Sequence, residues 1–262
     1  MCMSNDHTFL AISVGNSRST IATIQSGTVE NPTSFLSSET SEIVQYALKC
    51  WNDIDDENPQ IIMAATNEMT GKNIYQALAD QTSRDIWQIG DDIPPAIGEH
   101  LDPETITGID RLLTASAAWD QFHEACVIVD AGTCVTVDFV DGEGTFHGGA
   151  IAPGARMQLM AMHNGTYALP EIDFEPPLRE AFGKSTAQAM LQGVYHGIRG
   201  MVRQLTEQYS IRYGAYPTVI ATGGDAEILF KDDELIEQII PDLQLQGIAV
   251  SVRHTMAAEE HG

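Results

Sequence analysis

The sequence predicts an α/β fold made of two similar halves, each built on a mixed sheet with flanking helices. An apolar strand, a glycine-containing turn and a second strand begin near residue 9, and the same succession begins again near residue 126. Strands and helical segments then alternate within each half. A chain of 262 residues is long enough for two domains of ordinary size. We therefore expect a first half at residues 1–119 and a second half at residues 120–262.

The most informative run is Asp-Ala-Gly-Thr-Cys-Val-Thr-Val-Asp at residues 130–138, which follows the apolar strand at 126–129. Gly132 allows backbone N–H groups to approach a phosphate closely, because it has no Cβ. The threonine hydroxyls can donate to phosphate oxygens, and Asp130 can hold a hydrated cation. This run therefore predicts a phosphate-binding loop.

A second loop of the same kind occurs earlier in the chain, where an apolar strand leads into residues 15–18. Alignment at a spacing of 117 residues places Gly15 on Gly132 and Ser13 on Asp130. Two such loops at half-chain spacing indicate duplicated ribonuclease-H-like halves with both loops facing one cleft. This is the plan of the actin, hexokinase and Hsp70 group of nucleotide-binding proteins. Two unrelated β-hairpins are the alternative, because short motifs are weak evidence singly.

The first half contains a hairpin, three helices and two further strands. Short apolar runs between polar turns indicate the strands, and apolar residues three or four apart indicate the helices. Prolines at 94, 95 and 103 mark residues 91–107 as loop-rich. The expected elements are strands at 9–15 and 19–24, a helix at 42–49, a strand at 60–65, a helix at 70–79, a strand at 87–89 and a helix at 108–119.

The second half begins with two strands, at 126–130 and 134–140. A strand edge at 148–154 ends in Pro-Gly, which launches a helix because proline and glycine end the strand. The remaining expected elements are a long helix after 183–186, a strand at 218–221 and a helix after 222–225.

The long helix combines an apolar stripe with three glycines. The stripe has helical spacing, which predicts one buried face, and its residues are Met190, Val194, Ile198, Met201 and Leu205. Each glycine costs a helix roughly 1 kcal/mol relative to alanine. Glycines at 193, 197 and 200 therefore predict close backbone packing against another helix, at or beside a dimer interface.

The composition excludes several classes of partner. The net charge of −24, from 37 acidic and 13 basic residues, repels nucleic acid and anionic membranes. It also repels ATP, so a nucleotide site must supply backbone N–H groups and a metal ion locally. No run approaches the roughly 20 apolar residues that cross a bilayer. Residues 1–7 lack the basic and apolar regions of a signal peptide, which predicts a cytoplasmic location.

The four cysteines, at positions 2, 50, 126 and 134, are scattered and none has Cys-x-x-Cys spacing. This spacing predicts neither a zinc site nor a disulfide framework. Cys126 and Cys134 fall on strands, where a cysteine most often serves as a small core residue.

Gly-Ile-Asp-Arg at residues 108–111 falls at a predicted helix start. An aspartate there remains ionised because the helix dipole stabilises negative charge. The same pattern serves as an ordinary N-cap pair, which is the structural alternative. Next to two phosphate loops, however, a carboxylate beside an arginine can orient a substrate hydroxyl, accept its proton and hold a substrate carboxylate.

The chain resembles the type III pantothenate kinases in the order of seven short motifs. The family pattern is an Asp-x-Gly-Asn-Thr loop, Gly-x-Asp-Arg, Asp-x-Gly-Thr-x-x-Thr, Gly-Gly-x-Ile-x-Pro-Gly, a Thr before Leu-Pro, a Gly-x-x-Thr helix start and Thr-Gly-Gly. Any one of these is weak evidence, but seven in order are specific. In this chain they lie at residues 13–17, 108–111, 130–136, 148–154, 166–170, 183–186 and 222–224.

The resemblance implies transfer of the γ-phosphoryl group of ATP to the primary hydroxyl of pantothenate, giving 4′-phosphopantothenate in the first step of coenzyme A biosynthesis. Asp110 is then the catalytic base that accepts the hydroxyl proton. Gly108, Ile109 and Arg111 are implied to hold pantothenate beside it. Thr186, at the Gly-x-x-Thr helix start, is implied to reach pantothenate across the interface of a homodimer.

The resemblance also implies the ligands of the reaction: ATP, a divalent cation such as Mg²⁺, and K⁺ or NH₄⁺. Asp130 is the implied metal ligand. The chain has no Walker A Gly-x-x-x-x-Gly-Lys-[Ser/Thr] pattern, which argues against a P-loop kinase. The residues implied to bind ATP are Gly15, Asn16, Ser17, Arg18, Gly132, Thr133, Gly223 and Gly224.

The departure from the family pattern that matters is at position 13, where Ser13 stands in place of the aspartate of the first loop. Serine is neutral and a much poorer partner for Mg²⁺ than a carboxylate. Either Asp130, water and phosphate hold the metal, or activity is weak or lost; we expect reduced or altered activity because the substrate motifs remain. Two alternatives stay open: a kinase of the same fold for another hydroxylated metabolite, and a non-catalytic relative that binds nucleotide or a partner protein.

Overall fold

The computed structural model describes residues 7–56 and 59–261. The expectations about the N-terminal segment before residue 7, including Cys2, lie outside the described residues. The chain forms two compact units: one runs to Gly98 and adds Asp102–Gln121 and the segment from Asp242, and the other comprises Glu99–Leu101 and Phe122–Pro241. Within the described part of the chain, none of the helices has the length and apolar character that a bilayer crossing requires.

Strands and helices alternate along the described residues. The strands are β1 (Thr8–Val14), β2 (Arg18–Gln25), β3 (Thr28–Leu36), β4 (Gln60–Ala65), β5 (Ile86–Gln88), β6 (Gly98–Glu99), β7 (Cys126–Ala131), β8 (Cys134–Val140), β9 (Thr145–Pro153), β10 (Thr218–Thr222) and β11 (Gln238–Ile239). The helices are α1 (Thr40–Asn52), α2 (Glu68–Thr82), α3 (Ile109–Phe122), α4 (Ala155–Gly165), α5 (Thr186–Tyr213), α6 (Ala226–Phe230) and α7 (Leu243–His261).

The first unit is built on a five-stranded sheet with the order β3-β2-β1-β4-β5. β1 pairs antiparallel with β2 and parallel with β4, so it lies in the middle of the sheet. Leu10 and Ile12 pack with residues of α1 and α2, while Phe9 and Ala11 pack with residues of α3 and α7. Because both faces of β1 are covered, its sequence is an almost unbroken apolar run.

The second unit is built on a sheet with the order β11-β10-β7-β8-β9-β6. β7 pairs antiparallel with β8 and parallel with β10. Val127 and Val129 of β7 pack against buried residues of α5, including Val194 and Ile198. This core holds the turn after β7 on a rigid base.

The two sheets repeat one topology. In each, the first strand (β1 or β7) pairs antiparallel with the next strand, which pairs antiparallel with the third. The first strand also pairs parallel with a later strand (β4 or β10), and one more parallel strand (β5 or β11) extends the sheet. The predicted α/β fold of duplicated halves with mixed sheets is confirmed.

Two elements of the first unit were not predicted from the sequence. β3 contains Pro32 and a positive φ at Asn31, which are turn signals, but it is the edge strand of its sheet, where proline loses no ladder hydrogen bond. α7 lies within the predicted second half in sequence, yet its residues Leu245 and Ile248 join the core beneath β1. The predicted second half at 120–262 therefore differs from the second unit, which ends at Pro241.

The long helix α5 buries its apolar stripe and leaves its glycines uncovered. Met190, Val194 and Ile198 are buried in the core of the second unit. A Cβ at Gly193, Gly197 or Gly200 would meet no atom of the described residues within 4 Å. Among the described residues these glycines therefore meet no other helix of this chain, and their packing at or beside a dimer interface stays a prediction.

Candidate functional site

The second loop, residues 130–134, is a tight turn between β7 and β8. The Gly132 N–H donates to the Cys134 carbonyl oxygen at 2.9 Å, which closes the turn. Asp130 lies beside Thr136 in the antiparallel register and beside Thr222 in the parallel register. Thr133 is exposed at the tip, so the loop presents its hydroxyl and backbone to solvent.

Gly154, the last residue of the Gly-Gly-x-Ile-x-Pro-Gly run, packs directly on the second loop. Its N–H donates to the Thr133 carbonyl oxygen at 3.0 Å. A Cβ at this position would lie 2.1 Å from the Gly132 carbonyl oxygen, so only glycine permits the contact. The sequence marked residues 148–154 as a motif but gave no sign that they fix the loop.

Gly223 packs on the other side of the second loop. Its φ is +93°, and a Cβ there would lie 2.4 Å from both Asp130 Oδ1 and the Ala131 carbonyl oxygen. The Asp225 N–H donates to the same Ala131 oxygen at 2.9 Å. The structure therefore brings together four of the predicted residues, Asp130, Gly132, Thr133 and Gly223, while Gly224 is exposed next to them.

The surroundings of Asp130 suit a hydrated divalent cation. Its carboxylate lies near the end of β7 beside Gly132 and Gly223, which place no side chain next to it. Among the described residues, no three His, Cys, Asp or Glu side chains group as a metal cluster. Mg²⁺ usually keeps several waters and uses one or two carboxylates together with substrate phosphates, so a single carboxylate in this setting fits it.

The first loop, residues 13–18, is closed by serine hydroxyls and backbone. The Gly15 N–H donates to the Arg18 carbonyl oxygen at 2.9 Å, and Ser37 Oγ donates to the Gly15 carbonyl oxygen at 2.8 Å. The Ser37 N–H donates to the Ser17 carbonyl oxygen at 3.0 Å. Asn16, Ser17 and Arg18 are exposed, so the tip of the loop is open to a ligand. Ser37 follows an unpredicted strand, which is why sequence reasoning missed its role.

Ser13 is buried rather than directed to solvent, with 8% exposure. Its hydroxyl donates to Gln244 Oε1 of α7 at 2.8 Å. Gln244 lies two residues after Asp242, and burial raises the pKa of the Asp242 carboxyl above its usual value. A neutral hydrogen-bonded pair therefore occupies the position where the family pattern has a carboxylate. The partner lies 231 residues away in sequence, so no local signal could have identified it.

Residues 108–111 form the start of α3, as the sequence predicts. The Arg111 N–H contacts Asp110 Oδ1 at 3.0 Å and the Gly108 carbonyl oxygen at 3.1 Å. A Cβ at Gly108 would lie 2.7 Å from Asp110 Oδ1, so glycine allows the carboxylate to fold back over the helix start. Asp110 and Arg111 are half-buried, and Ile109 packs against the core of the first unit. The buried Thr107 Oγ1 has no hydrogen-bond partner among the described residues.

Thr186 begins α5 and is exposed. Ser185 caps the helix by accepting a hydrogen bond from the Gln188 N–H at 3.2 Å. An open depression adjoins this helix start, and the residues that line it are Leu178, Glu180, Phe182, Lys184, Ser185, Gln188 and Gln192. Within the described residues, Thr186 makes no hydrogen bond to the second loop.

Two cysteines of the second unit differ in character. Burial, together with the carboxylates of Glu124 and Glu237, raises the pKa of the Cys126 thiol to about 12. Cys134, at the end of the second loop, is only half-buried. Cys126 is therefore a core residue with an unreactive thiol, as the sequence predicts.

The chain matches one protein family over most of its length. The family model described as type III pantothenate kinase matches residues 9–208. The chain belongs to the type III pantothenate kinase family. A type III pantothenate kinase from Rhodospirillum rubrum is 38% identical over 159 residues, which are 61% of this chain and 62% of that protein. The one from Akkermansia muciniphila is 38% identical over 144 residues, or 55% and 59%.

These alignments with type III pantothenate kinases span about three fifths of the length of each relative. Solved structures match over nearly the whole chain. A conserved putative Baf family transcriptional activator from Campylobacter jejuni has a TM-score of 0.60 at 18% identity, covering 97% of this chain and 99% of that one. MreB 5 of Spiroplasma citri bound to AMPPNP has a TM-score of 0.53 at 9% identity, with 98% and 99% coverage. At these identities the likeness supports the fold alone.

Proposed function

We propose that this protein catalyses the ATP-dependent phosphorylation of pantothenate to 4′-phosphopantothenate, the first step of coenzyme A biosynthesis. The observation that carries the proposal is the family match over residues 9–208, a range that contains both loops and residues 108–111. Phosphoryl transfer requires positioning and charge neutralisation more than covalent chemistry from the protein. The two glycine loops can position the phosphates, and the carboxylate at the start of α3 can position the hydroxyl group that attacks.

In the first unit, we assign residues 15–18, of which Asn16, Ser17 and Arg18 are exposed, to the phosphates of ATP. The turn is held by Ser37 and by its own backbone, so its N–H groups are preorganised. In the second unit, Gly132 and Thr133 serve the same purpose, and Gly223 and Gly224 border the nucleotide. The close packing of Gly154 and Gly223 on the second loop supports this assignment, because it fixes the loop before ligand binds.

We assign the proton transfer to Asp110. Its carboxylate lies in the first turn of α3, from where it can accept a proton from a bound hydroxyl group. Gly108, Ile109 and Arg111 are proposed to hold pantothenate, with the Arg111 guanidinium suited to a substrate carboxylate. Asp110 would then orient the primary hydroxyl and take its proton as the phosphoryl group is transferred.

The cation is proposed to bind near Asp130, with K⁺ or NH₄⁺ as a further requirement. A divalent ion bound there would neutralise charge on the phosphates. The neutral pair of Ser13 and Gln244 leaves Asp130 as the carboxylate that serves the metal in the two loops. Reduced activity relative to relatives that carry aspartate in the first loop is part of the proposal.

A cytoplasmic homodimer is proposed, with the glycine-bearing side of α5 and the exposed Thr186 at the interface. Gly193, Gly197 and Gly200 leave the helix backbone open on the side away from its core. Small residues at this spacing permit two helices to approach closely. Light scattering at micromolar concentration should give twice the mass of the chain; a monomer would contradict the interface.

A coupled ADP-release assay with pantothenate, Mg²⁺ and K⁺ tests the function. We expect ADP release that depends on pantothenate, and a loss on the order of 10²–10⁴-fold in Asp110→Asn, because a positioned proton acceptor is removed. The Asn variant keeps the size of the side chain, and its circular dichroism should match the wild type. Turnover with a sugar but not with pantothenate would indicate the alternative kinase, and wild-type turnover in Asp110→Asn would exclude it as the base.

A further inference from the structure

The second loop is flanked by two segments that come from distant parts of the second unit. On one side lies Gly154, whose N–H binds the Thr133 carbonyl oxygen. On the other side lies the turn after β10, where Gly223 contacts Ala131 and the Asp225 N–H binds its carbonyl oxygen. Backbone hydrogen bonds tie each flank to the loop, but among those of the described residues none joins the two flanks to each other.

An ion pair makes that missing connection. Arg156, in the first turn of α4 and two residues after Gly154, places Nη1 at 2.5 Å from Asp225 Oδ1 and 2.7 Å from Asp225 Oδ2. The Asp225 side chain is only 3% exposed, while that of Arg156 is 64% exposed. The Arg156 guanidinium also lies 6.0 Å from the centre of the Phe174 ring. The loop, its two flanks and the ion pair therefore form a closed ring of contacts.

Because Asp225 is buried, its ion pair with Arg156 should contribute more than an exposed pair does. A carboxylate that is removed from water needs a partner, and the cost of losing that partner is much larger than at the surface. The chain also contains an exposed pair of the same chemistry, between Arg179 and Asp232 at 3.5 Å, with side chains 95% and 74% exposed. Such a pair contributes little. It therefore supplies a matched control within the same unit.

We propose that Arg156 and Asp225 are positioning residues that clamp the second loop and the Gly223 turn in the conformation that binds the phosphates of ATP. The pair acts through the backbone of the flanks and sets the affinity for nucleotide rather than for the hydroxyl substrate. This inference rests on the proposed function for its kinetic consequence. Its structural consequence, the immobilisation of the turn at residues 222–225, is independent of the reaction.

The kinetic test compares Arg156→Met, Asp225→Asn and the double variant. We expect each single variant to raise the KM for ATP about tenfold, the factor that about 1.4 kcal/mol gives. The double variant should be no worse than the more affected single variant, because both changes break one contact. The KM for pantothenate should stay within twofold, and Arg179→Met should leave both KM values unchanged. Arg156→Lys, which keeps the charge, should recover part of the loss.

Hydrogen exchange of the backbone amides supplies the second readout. Arg156→Met and Asp225→Asn should accelerate exchange at residues 223–226 relative to the wild type and to Arg179→Met. If Arg156→Met fails to fold, Arg156→Lys and Asp225→Asn carry the test. Faster exchange with an unchanged KM for ATP would reduce the pair to a structural contact and overturn the proposal, as would unchanged exchange.

The two proposals fail in different ways. A wild-type protein that binds no ATP in titration calorimetry overturns the proposed kinase function and the nucleotide part of the clamp, while hydrogen exchange still decides whether the pair holds the turn. A wild-type kinase whose variants keep the affinity for ATP overturns the clamp alone.

Discussion

The first and second loops follow the same strand pairing but differ in the side chains that surround them. In the first loop, Ser13 is buried in a neutral pair with Gln244, and Ser37 fastens Gly15 from a neighbouring strand. In the second loop, Asp130 keeps a carboxylate and is covered by Gly223. Duplicated backbone topology therefore did not duplicate the chemistry of the loops.

The parallel strands explain how this difference arises. After β4 the Thr66 N–H donates to the Val14 carbonyl oxygen, and after β10 the Asp225 N–H donates to the Ala131 carbonyl oxygen, both at 2.9 Å. The segment after β4 continues from Thr66 to Asn67, the cap residue of α2, without a glycine. The segment after β10 passes through Gly223 and Gly224 before it reaches Asp225. The missing side chain at Gly223 thus lets its backbone lie directly against Asp130 at the strand end of the second loop.

The greatest difference should appear between the activities of one variant in each loop. Asp130→Asn should lower kcat/KM by on the order of 10²–10³-fold, as removal of one electrostatic group from an active site does. Ser13→Ala should cost about tenfold or less, because it removes one neutral hydrogen bond of about 1 kcal/mol. ADP release with saturating pantothenate measures both. Similar losses in the two variants would break the comparison.

The second prediction concerns the packing of Gly223. Gly223→Ala should destabilise the protein by about 1–2 kcal/mol for its left-handed φ and about 1–3 kcal/mol more for contact with Asp130 and Ala131. Gly214→Ala is the matched control, since Gly214 has a φ of +87° but open space around it. Thermal denaturation should give a clearly lower Tm for Gly223→Ala. Equal Tm values would mean that the contact with Asp130 carries no strain.

The third prediction tests whether the first loop is adapted to serine. Ser13→Asp places a carboxylate against Gln244 Oε1 in a buried position, which should destabilise the protein by about 1–3 kcal/mol without metal. Ser13→Asn introduces a neutral side chain of the same size as aspartate, so it should lose less stability than Ser13→Asp. The loss in Ser13→Asp should shrink with added Mg²⁺, because a cation would neutralise the carboxylate. Urea unfolding with and without Mg²⁺ measures this; equal stability of both variants would refute the adaptation.

The smallest effects should be two pH dependences of opposite sign, one in each unit. Burial raises the pKa of Asp242, so its stabilising protonated form is lost as pH rises above the usual value of 3.8. Asp242→Asn mimics that form and tolerates the positive φ of this position, so it should be more stable than the wild type at neutral pH, with the difference vanishing in acid.

Asp141 provides the opposite case in the second unit. Burial acts to raise the pKa of Asp141, but the hydrogen bond with His147 and those from the Thr145 and Glu143 amides outweigh it and lower the pKa. Its stabilisation is present above the usual value of 3.8 and is lost as pH falls through the lowered value. Asp141→Asn should therefore be less stable than the wild type at neutral pH. Urea midpoints across pH measure both variants, and shifts of the same sign would contradict the assignment.

Local sequence patterns were sufficient to predict the strands that carry both loops and the start of α3. The strand at 60–65 and the short runs before Gly15 and Gly132 were predictable because they are largely apolar on both faces, and the last two also end at glycine. The order of the seven motifs indicated the family, which the match over residues 9–208 shows. These signals are local or depend only on sequence order.

The surroundings of each loop, in contrast, depend on contacts between residues that are far apart in sequence. The pairing of Ser13 with Gln244 and of Arg156 with Asp225 joins residues 231 and 69 positions apart, and neither partner has a distinctive local pattern. The glycines of α5 indicate a surface that packs on another helix, and the structure shows that this surface lies away from the core of the second unit, where the apolar stripe is buried. Local periodicity fixes which residues share a face, whereas the partner that a face or side chain meets depends on the path of the whole chain.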